Sequence, residues 1–312
     1  MTGAVVTCGG ETWRLPPLTF WDLRRTDGDP CDSAAVTFLY EPKRLDVLKQ
    51  ATRLRLTEDG RTVFFGVVDE FTAAAGDGGR TVTLSARSPA ALLMDNQLRA
   101  AEFSVLQLSD VLARFVRPWG IDRVEAGTLP AVRDFSVETG TTCWQALCGF
   151  CRHSAGLRPR FSADGTLILK PAEPSLWRLD QTAGVERISF RQKRYGVLSR
   201  QILVDSRRQT AQTAENTAFA AMGGSAQKVG LLQGKTTRAT WRTADQRIED
   251  SARGAVTVTA VLPGPCRAEP GDRVQVDLPQ AGISGTFTLT EFADRCDGGK
   301  RTSTLELEGT LA

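Results

Sequence analysis

Ser33-Ala34-Ala35-Val36-Thr37-Phe38 opens a run of short segments that decides the fold. It continues through Thr52-Arg53-Leu54-Arg55-Leu56, Val63-Phe64-Phe65-Gly66-Val67-Val68-Asp69-Glu70 and Thr81-Val82-Thr83-Leu84-Ser85-Ala86-Arg87, and closes on Ala91-Leu92-Leu93-Met94-Asp95-Asn96. Apolar and polar residues alternate at 53–56 and 81–84, as a strand with one dry face requires. Glu58-Asp59-Gly60 and Gly76-Asp77-Gly78-Gly79 supply the positive φ angles of tight hairpins. The spacing predicts one antiparallel strand system over 33–96, which is scaffold rather than chemistry.

Working outward, residues 1–98 read as an all-β domain, with Trp13 and Trp21 flanking Pro16-Pro17. Leu45 to Lys49 is a short helical or extended connection. Ser88-Pro89 marks the exit from the last strand, because proline cannot donate to a central ladder. Residues 99–180 change period. Val105, Leu108, Val111, Leu112, Phe115 and Val116 recur at helical spacing up to Pro118. Thr141 or Thr142 caps a second helix through Cys151, and Ala163-Asp164-Gly165 joins a hairpin between 158–162 and 166–169. This is a small α+β module.

Residues 181–312 return to β. Arg187–Phe190 and Ser199–Asp205 read as paired strands around Tyr195-Gly196, and residues 207–235 as a flexible arm too polar to form a core. Ala244 to Ala255 reads as a helix. Strands at 256–261, 273–276, 285–290 and 303–307 follow, with turns at Pro270-Gly271-Asp272 and Asp297-Gly298-Gly299. The patterns Gly-x-Val-x-Glu at 66–70 and Gly-x-Phe-x-Leu-x-Glu at 285–291 each lead to a Gly-rich turn, which suggests an internal duplication.

The composition of the 312 residues is that of an ordinary globular chain. A formal net charge of +3 argues for neither nucleic acid nor an anionic membrane. No run is apolar enough for a transmembrane helix, and Met1 to Thr7 lacks the basic start and apolar core of a secretory signal. Seven cysteines, an odd number, fit a reducing compartment. The expectation is synthesis and assembly in the cytosol.

Chemistry is sparse. His153 is the single histidine. Cys143, Cys148, Cys151 and His153 have the flavour of a metal site, but on a helix turning about 100° per residue Cys143 and Cys148 point apart. Asp69 and Glu70 are strand neighbours on opposite faces rather than a glycosidase pair. The motifs G-x-S-x-G, H-E-x-x-H and G-x-x-x-x-G-K-[ST] do not occur in the sequence. No catalytic residue, metal ligand or cofactor is assigned, and the chain is read as a non-enzyme. Val137 to Trp144 faintly resembles the opening of a peptidoglycan-binding LysM module. The alternative reading is therefore a tail-associated cell-wall binding or hydrolysing protein.

The succession SAAVTF, RLRL, VFFGVVDE, VTLSARS and LLMDN resembles the N-terminal part of baseplate hub proteins of contractile-tailed phages and phage-tail-like particles. That resemblance implies a mainly β fold with a small α+β module and two tube-type antiparallel β-barrel domains in one chain: 1–98, then the middle module 99–180, then 181–312 with its arm at 207–235. It implies a homotrimeric ring in the baseplate, adapting a sixfold tail tube to a threefold spike. Implied partners are the chain itself, the tube protein, the spike protein and other baseplate proteins, with tape measure protein or DNA in the lumen. Phe64, Phe65, Val67, Asp69, Phe287, Leu289 and Glu291 are the expected interface residues, and Trp177, Trp241 and Tyr195 are further anchor candidates.

Overall fold

The computed structural model describes residues 1–27, 31–76, 79–205, 208–232 and 237–311. The N-terminal part supplies strands β1 (Thr2–Thr7), β2 (Thr12–Arg14), β3 (Leu18–Thr26), β4 (Ser33–Leu39), β5 (Ala51–Glu58), β6 (Arg61–Gly76) and β7 (Gly79–Arg87), with the short helix α1 (Leu45–Leu48) before β5. Hydrogen bonding orders five of them β5-β6-β7-β4-β3, and β1 and β2 extend the β5 side. Asp59 and Gly60, at φ +49° and +77°, make the β5–β6 turn. Asp77 and Gly78 of the next expected turn lie outside the described residues. Val36, Phe38, Leu54, Leu56, Val82 and Leu84 are each fully buried in the core of this half.

The closing segment of the expected strand system is helical rather than extended. Ala91 to Met94 lie in helix α2 (Ala90–Met94), and Ala90 and Leu93 belong to the middle core. A five-residue apolar run reads equally as strand or buried helix, and Pro89 starts the helix here. Next come β8 (Ala101–Leu106), α3 (Leu108–Val111, continuing as a wider turn through Val116), β9 (Val124–Ala126), β10 (Val132–Val137), α4 (Cys143–Ala155), β11 (Arg160–Phe161) and β12 (Leu167–Leu169). Thr142 caps α4 in a reciprocal box with Gln145.

The remaining elements are β13 (Leu176–Leu179), β14 (Arg187–Gln192), β15 (Arg200–Asp205), β16 (Thr210–Glu215), α5 (Thr217–Ala221), β17 (Gln227–Leu231), β18 (Thr237–Arg238), α6 (Ala244–Ala252), β19 (Val256–Pro263), β20 (Arg273–Leu278), β21 (Ile283–Asp297) and β22 (Lys300–Gly309). Two expectations change. The strands at 187–192 and 200–205 do not pair: β14 pairs with β19, while β15 pairs with β16 and β17. And the described part of 207–235 is a sheet with a helical turn rather than an open arm. Leu203, Ala214, Ala244 and Ile248 form a small core between that sheet and α6. Thr210-Ala211-Gln212-Thr213-Ala214-Glu215 carries too little apolar contrast to reveal a strand with one small residue inward. Arg207 and residues 233–235 of this segment lie outside the described residues.

The order of the C-terminal strands is β20-β21-β22-β19-β14. This repeats β5-β6-β7-β4-β3 strand for strand, with antiparallel pairing throughout. The long central strands also change partner at matching points. β6 leaves β5 at Val67 and runs on with β7; β21 leaves β20 at Thr288 and runs on with β22. Each then carries a register shift just before a glutamate, Glu70 in one and Glu291 in the other. The glutamates of the repeated sequence pattern therefore coincide. The glycines do not, because Gly66 corresponds to Phe287. The two halves are hydrogen-bonded into one 13-stranded sheet by β3 and β21, from Glu291 opposite Thr26 to Asp297 opposite Phe20.

Gly66 lies where a Cβ would overlap the Arg87 carbonyl oxygen and approach Phe64 Cζ at 2.6 Å. Gly66→Ala must therefore separate β6 from its neighbours, at a cost of about 1–3 kcal/mol. The expected result is a thermal midpoint lowered by several degrees, measured by circular dichroism; an unchanged midpoint would show that the strands are not packed this closely.

Candidate assembly interface

The join between the halves is more than a ladder. Arg301, on β22, reaches across to Glu58 at the end of β5, and its Nη2 donates to Glu58 Oε2 at 2.9 Å. The same guanidinium donates through Nε to Asp294 Oδ1 at 2.8 Å. Trp21 of β3 donates its indole N–H to Asp294 at 3.3 Å, and the Arg301 guanidinium carbon lies 5.6 Å from the Trp21 ring centre. Asp294 is buried, so its charge depends on these partners. The hydrogen bond from Arg301 holds the Glu58 carboxyl below the usual carboxylate range.

A second clamp ties the N-terminal half to the middle module. The register shift in β6 places Asp69 to accept two hydrogen bonds from Arg87, at 2.7 and 2.9 Å. The other side of Arg87 donates to Asp95, just beyond α2, at 2.7 and 3.2 Å. Those bonds lower the Asp95 carboxyl. Asp69 is thus already engaged within its own chain.

The expected interface residues separate into two groups. Phe64, Phe287 and Leu289 are core residues, buried within the chain itself; alternation along a strand tells which residues share a face, not which face is inward. Phe65 is half-buried under Gly165, with the Arg55 guanidinium 5.4 Å from its ring centre. Val67 and Glu291 are half-buried, and Glu291 sits 3.8 Å from Arg24 on β3. Of the anchor candidates, Trp177 donates to the buried Asp272 at 2.7 Å, and Trp241 stacks on His153. Tyr195 is 73% exposed, with Lys193 Nζ 4.8 Å above its ring.

Nucleophilic chemistry has no footing around His153. Burial pushes the Cys151 thiol up to about 12 and also raises Cys143. Burial, and then the charge of Arg152, lower the pKa of the His153 ring. No group of three or more potential metal ligands converges among the described residues. Trp144 is buried and stacked on Phe161 at 6.2 Å, so its ring is used by the core. A cleft of about 360 Å³ beside α4 is lined by Arg152, Arg158, Arg242 and Arg253 together with Glu249 and Asp250. Asp250 pairs with both Arg242 and Arg253.

Fold and site together describe a duplicated β module whose halves are joined strand to strand. Residues 90–171 match the family model described as baseplate hub protein gp44-like, second domain, so the resemblance to baseplate hub proteins extends to the middle module. Among solved structures, the chain is similar to the tail protein from Neisseria meningitidis MC58, at 20% identity over 99% of this chain and 97% of that one, with a TM-score of 0.75. It is similar to the 43 kDa tail protein of prophage MuSo2 from Shewanella oneidensis at 14% identity, 99% and 98% coverage and a TM-score of 0.75. A third, the E. coli c3393 protein, is described as a component of the type VI secretion system structurally similar to the T4 tail proteins gp27 and gp5. It shares 12% identity over 93% of this chain and 73% of its own, with a TM-score of 0.52. At these identities the likeness is one of fold. No curated protein sequence matches the chain.

Two titration and mutation outcomes follow from this geometry. Asp32 is buried, and desolvation raises its carboxyl from 3.8 to about 6, against the pull of Arg25 and the Thr26 N–H. Folding therefore favours its protonated form: the cost is present above pH 6 and is relieved as pH falls through 6 towards 4. Two pH units correspond to about 3 kcal/mol. Asp32→Asn, which keeps an acceptor for Thr26, should raise the thermal midpoint at pH 8 and flatten its pH dependence between 4 and 7. Arg301→Met should cost about 3 kcal/mol or more by stranding Asp294, read as a drop in the denaturation midpoint. Glu58→Gln should cost less, because Asp294 keeps its partner.

Proposed function

We propose that this chain is a non-enzymatic hub subunit of a phage or phage-like contractile tail baseplate. In this reading, three copies form a ring that presents six similar β modules to a sixfold tail tube. The other face offers threefold symmetry to a spike. The observation that carries the reading is the repeated five-strand order, with the same partner change and register shift in each half. A duplicated subunit is the economical way to make a threefold assembly look sixfold on one side, and a heterologous contact that closes gives a ring.

The family match over 90–171 and the likeness to tail proteins support the same role. The partners would be further copies of the chain, the tube protein, the spike and neighbouring baseplate proteins, with the passing DNA, tape measure or payload in the lumen. Half-buried Phe65 and Val67 remain contact candidates. Glu291 belongs to the joint within the chain.

Light scattering across a concentration series tests the reading. A trimer, or a monomer–trimer equilibrium, is the expected result. A strict monomer at high concentration, also in the presence of a spike fragment, would contradict it.

A further inference from the structure

The joint between β3 and β21 has a counterpart that no strand fills. In the C-terminal half, β21 bonds to β22 on one side, and its stretch 291–297 takes β3 on the other. In the N-terminal half, β6 bonds to β7 along 67–76, but its β5 pairing ends at Val67. Among the described residues, the opposite edge of 70–76 has no ladder partner, and residues 72–76 are exposed. The strand equivalent to β3 is β14. Among the described residues it pairs only with β19, and its outer edge is equally open.

Register carries the correspondence to single residues. Through the pairings of β4 with β7 and of β19 with β22, Trp21 corresponds to Ile188, Leu23 to Phe190 and Arg24 to Arg191. Through the shared register shift, Glu291 corresponds to Glu70 and Phe292 to Phe71. The positions covered at the internal joint are bare at the open edges. Leu23 is 2% exposed, whereas Phe190 is 52% exposed. Phe292 is buried, whereas Phe71 is only half-buried.

The geometry points to β14 of one copy pairing antiparallel with residues 70–76 of β6 in the next copy, in the register that β3 and β21 use within the chain. Transferring that register sets Glu70 opposite Lys193 of a second copy, Thr72 opposite Arg191 and Ala73 opposite Phe190. Charge complements shape. The internal joint brings Arg24 to 3.8 Å from Glu291, and the transferred joint brings Arg191 to Glu70. The side chains of Thr72-Ala73-Ala74-Ala75-Gly76 are small enough to admit Phe190 over them. An open edge with an exposed aromatic is an invitation to strand addition. Every half then grips the next in the same way, and the contact closes at three chains where each step from half to half turns by a sixth of a circle, as the ring-forming reading requires. This inference rests on the ring-forming reading and names the surface that makes the ring.

The test is cysteine pairing in the full chain with Cys8, the exposed native cysteine, changed to serine. Thr72→Cys with Arg191→Cys, and one residue along Ala73→Cys with Phe190→Cys, place thiols at directly opposed positions, within the Cα separation a disulfide needs. Under mild oxidation both double variants should form covalent dimers and closed trimers that reductant dissolves, while each single variant stays monomeric on denaturing gels. The displaced pair Gly76→Cys with Lys193→Cys should link at least tenfold less. Light scattering on the same unoxidised samples separates the two layers of the claim. Trimers that link equally well out of register, or not at all, overturn the seam and leave the ring. A single-chain mass throughout overturns the ring itself. As a check that does not depend on disulfides, Glu70→Arg should weaken trimer formation at least tenfold, and adding Arg191→Glu should recover most of it. Failure of that recovery counts against the pairing.

Discussion

The ladder between β3 and β21, locked by Arg301, is the constraint on which the rest of the structure depends. It makes two copies of one β module into a single continuous sheet. The ladder supplies direction and register, and the buried Asp294 supplies specificity. A slipped register would carry Trp21 away from Asp294 and Glu58 away from Arg301. The interaction spans a large sequence separation, since Glu58 and Arg301 come from opposite ends of the chain. Such a non-local contact carries a large loop-closure cost.

Local features were legible in the sequence for a physical reason: they are written in neighbouring residues. Asp59-Gly60 and Gly298-Gly299 announce their hairpins because each needs two positive φ angles in succession. Thr142 with Gln145 announces the start of α4. Strand pairing over long separations was not legible. β14 and β19 are neighbours in the sheet but are separated in sequence by the whole 198–250 insertion, so the nearer Arg200–Asp205 looked like the partner of β14. The same insertion looked like a loose arm because its strands bury alanine and leucine singly among polar residues. The candidate interface was half legible. Phe64, Phe287 and Leu289 were recognised as strand residues but sit inside, while Phe190, on an edge strand with ordinary alternation, gave no sign in sequence that its outer side is open. Only the register of the duplicated halves reveals it.

The chemistry of the molecule is consistent with a structural part. Its charged side chains are largely arranged in pairs that hold elements together: Arg87 with Asp69 and Asp95, Arg301 with Glu58 and Asp294, Arg25 with Glu269. Its cysteines are mostly drawn into the interior, where the thiols are harder to ionise, and its histidine is stacked against Trp241. Among the described residues, two strands keep an open backbone edge that resembles one side of an already completed joint. Function in this account lies in geometry: how a half of the chain holds the next half, and how many times that contact repeats before it closes.

The most direct measurement is an electron cryomicroscopy structure of the assembled ring at a resolution that shows strand register. The account predicts six equivalent joints around a threefold axis. Three would lie within chains at β3 and β21, and three between chains at β14 and β6, with Glu70 beside Arg191 of the neighbouring copy. A ring in which residues 70–76 face solvent, or in which β14 meets some other element, would contradict it.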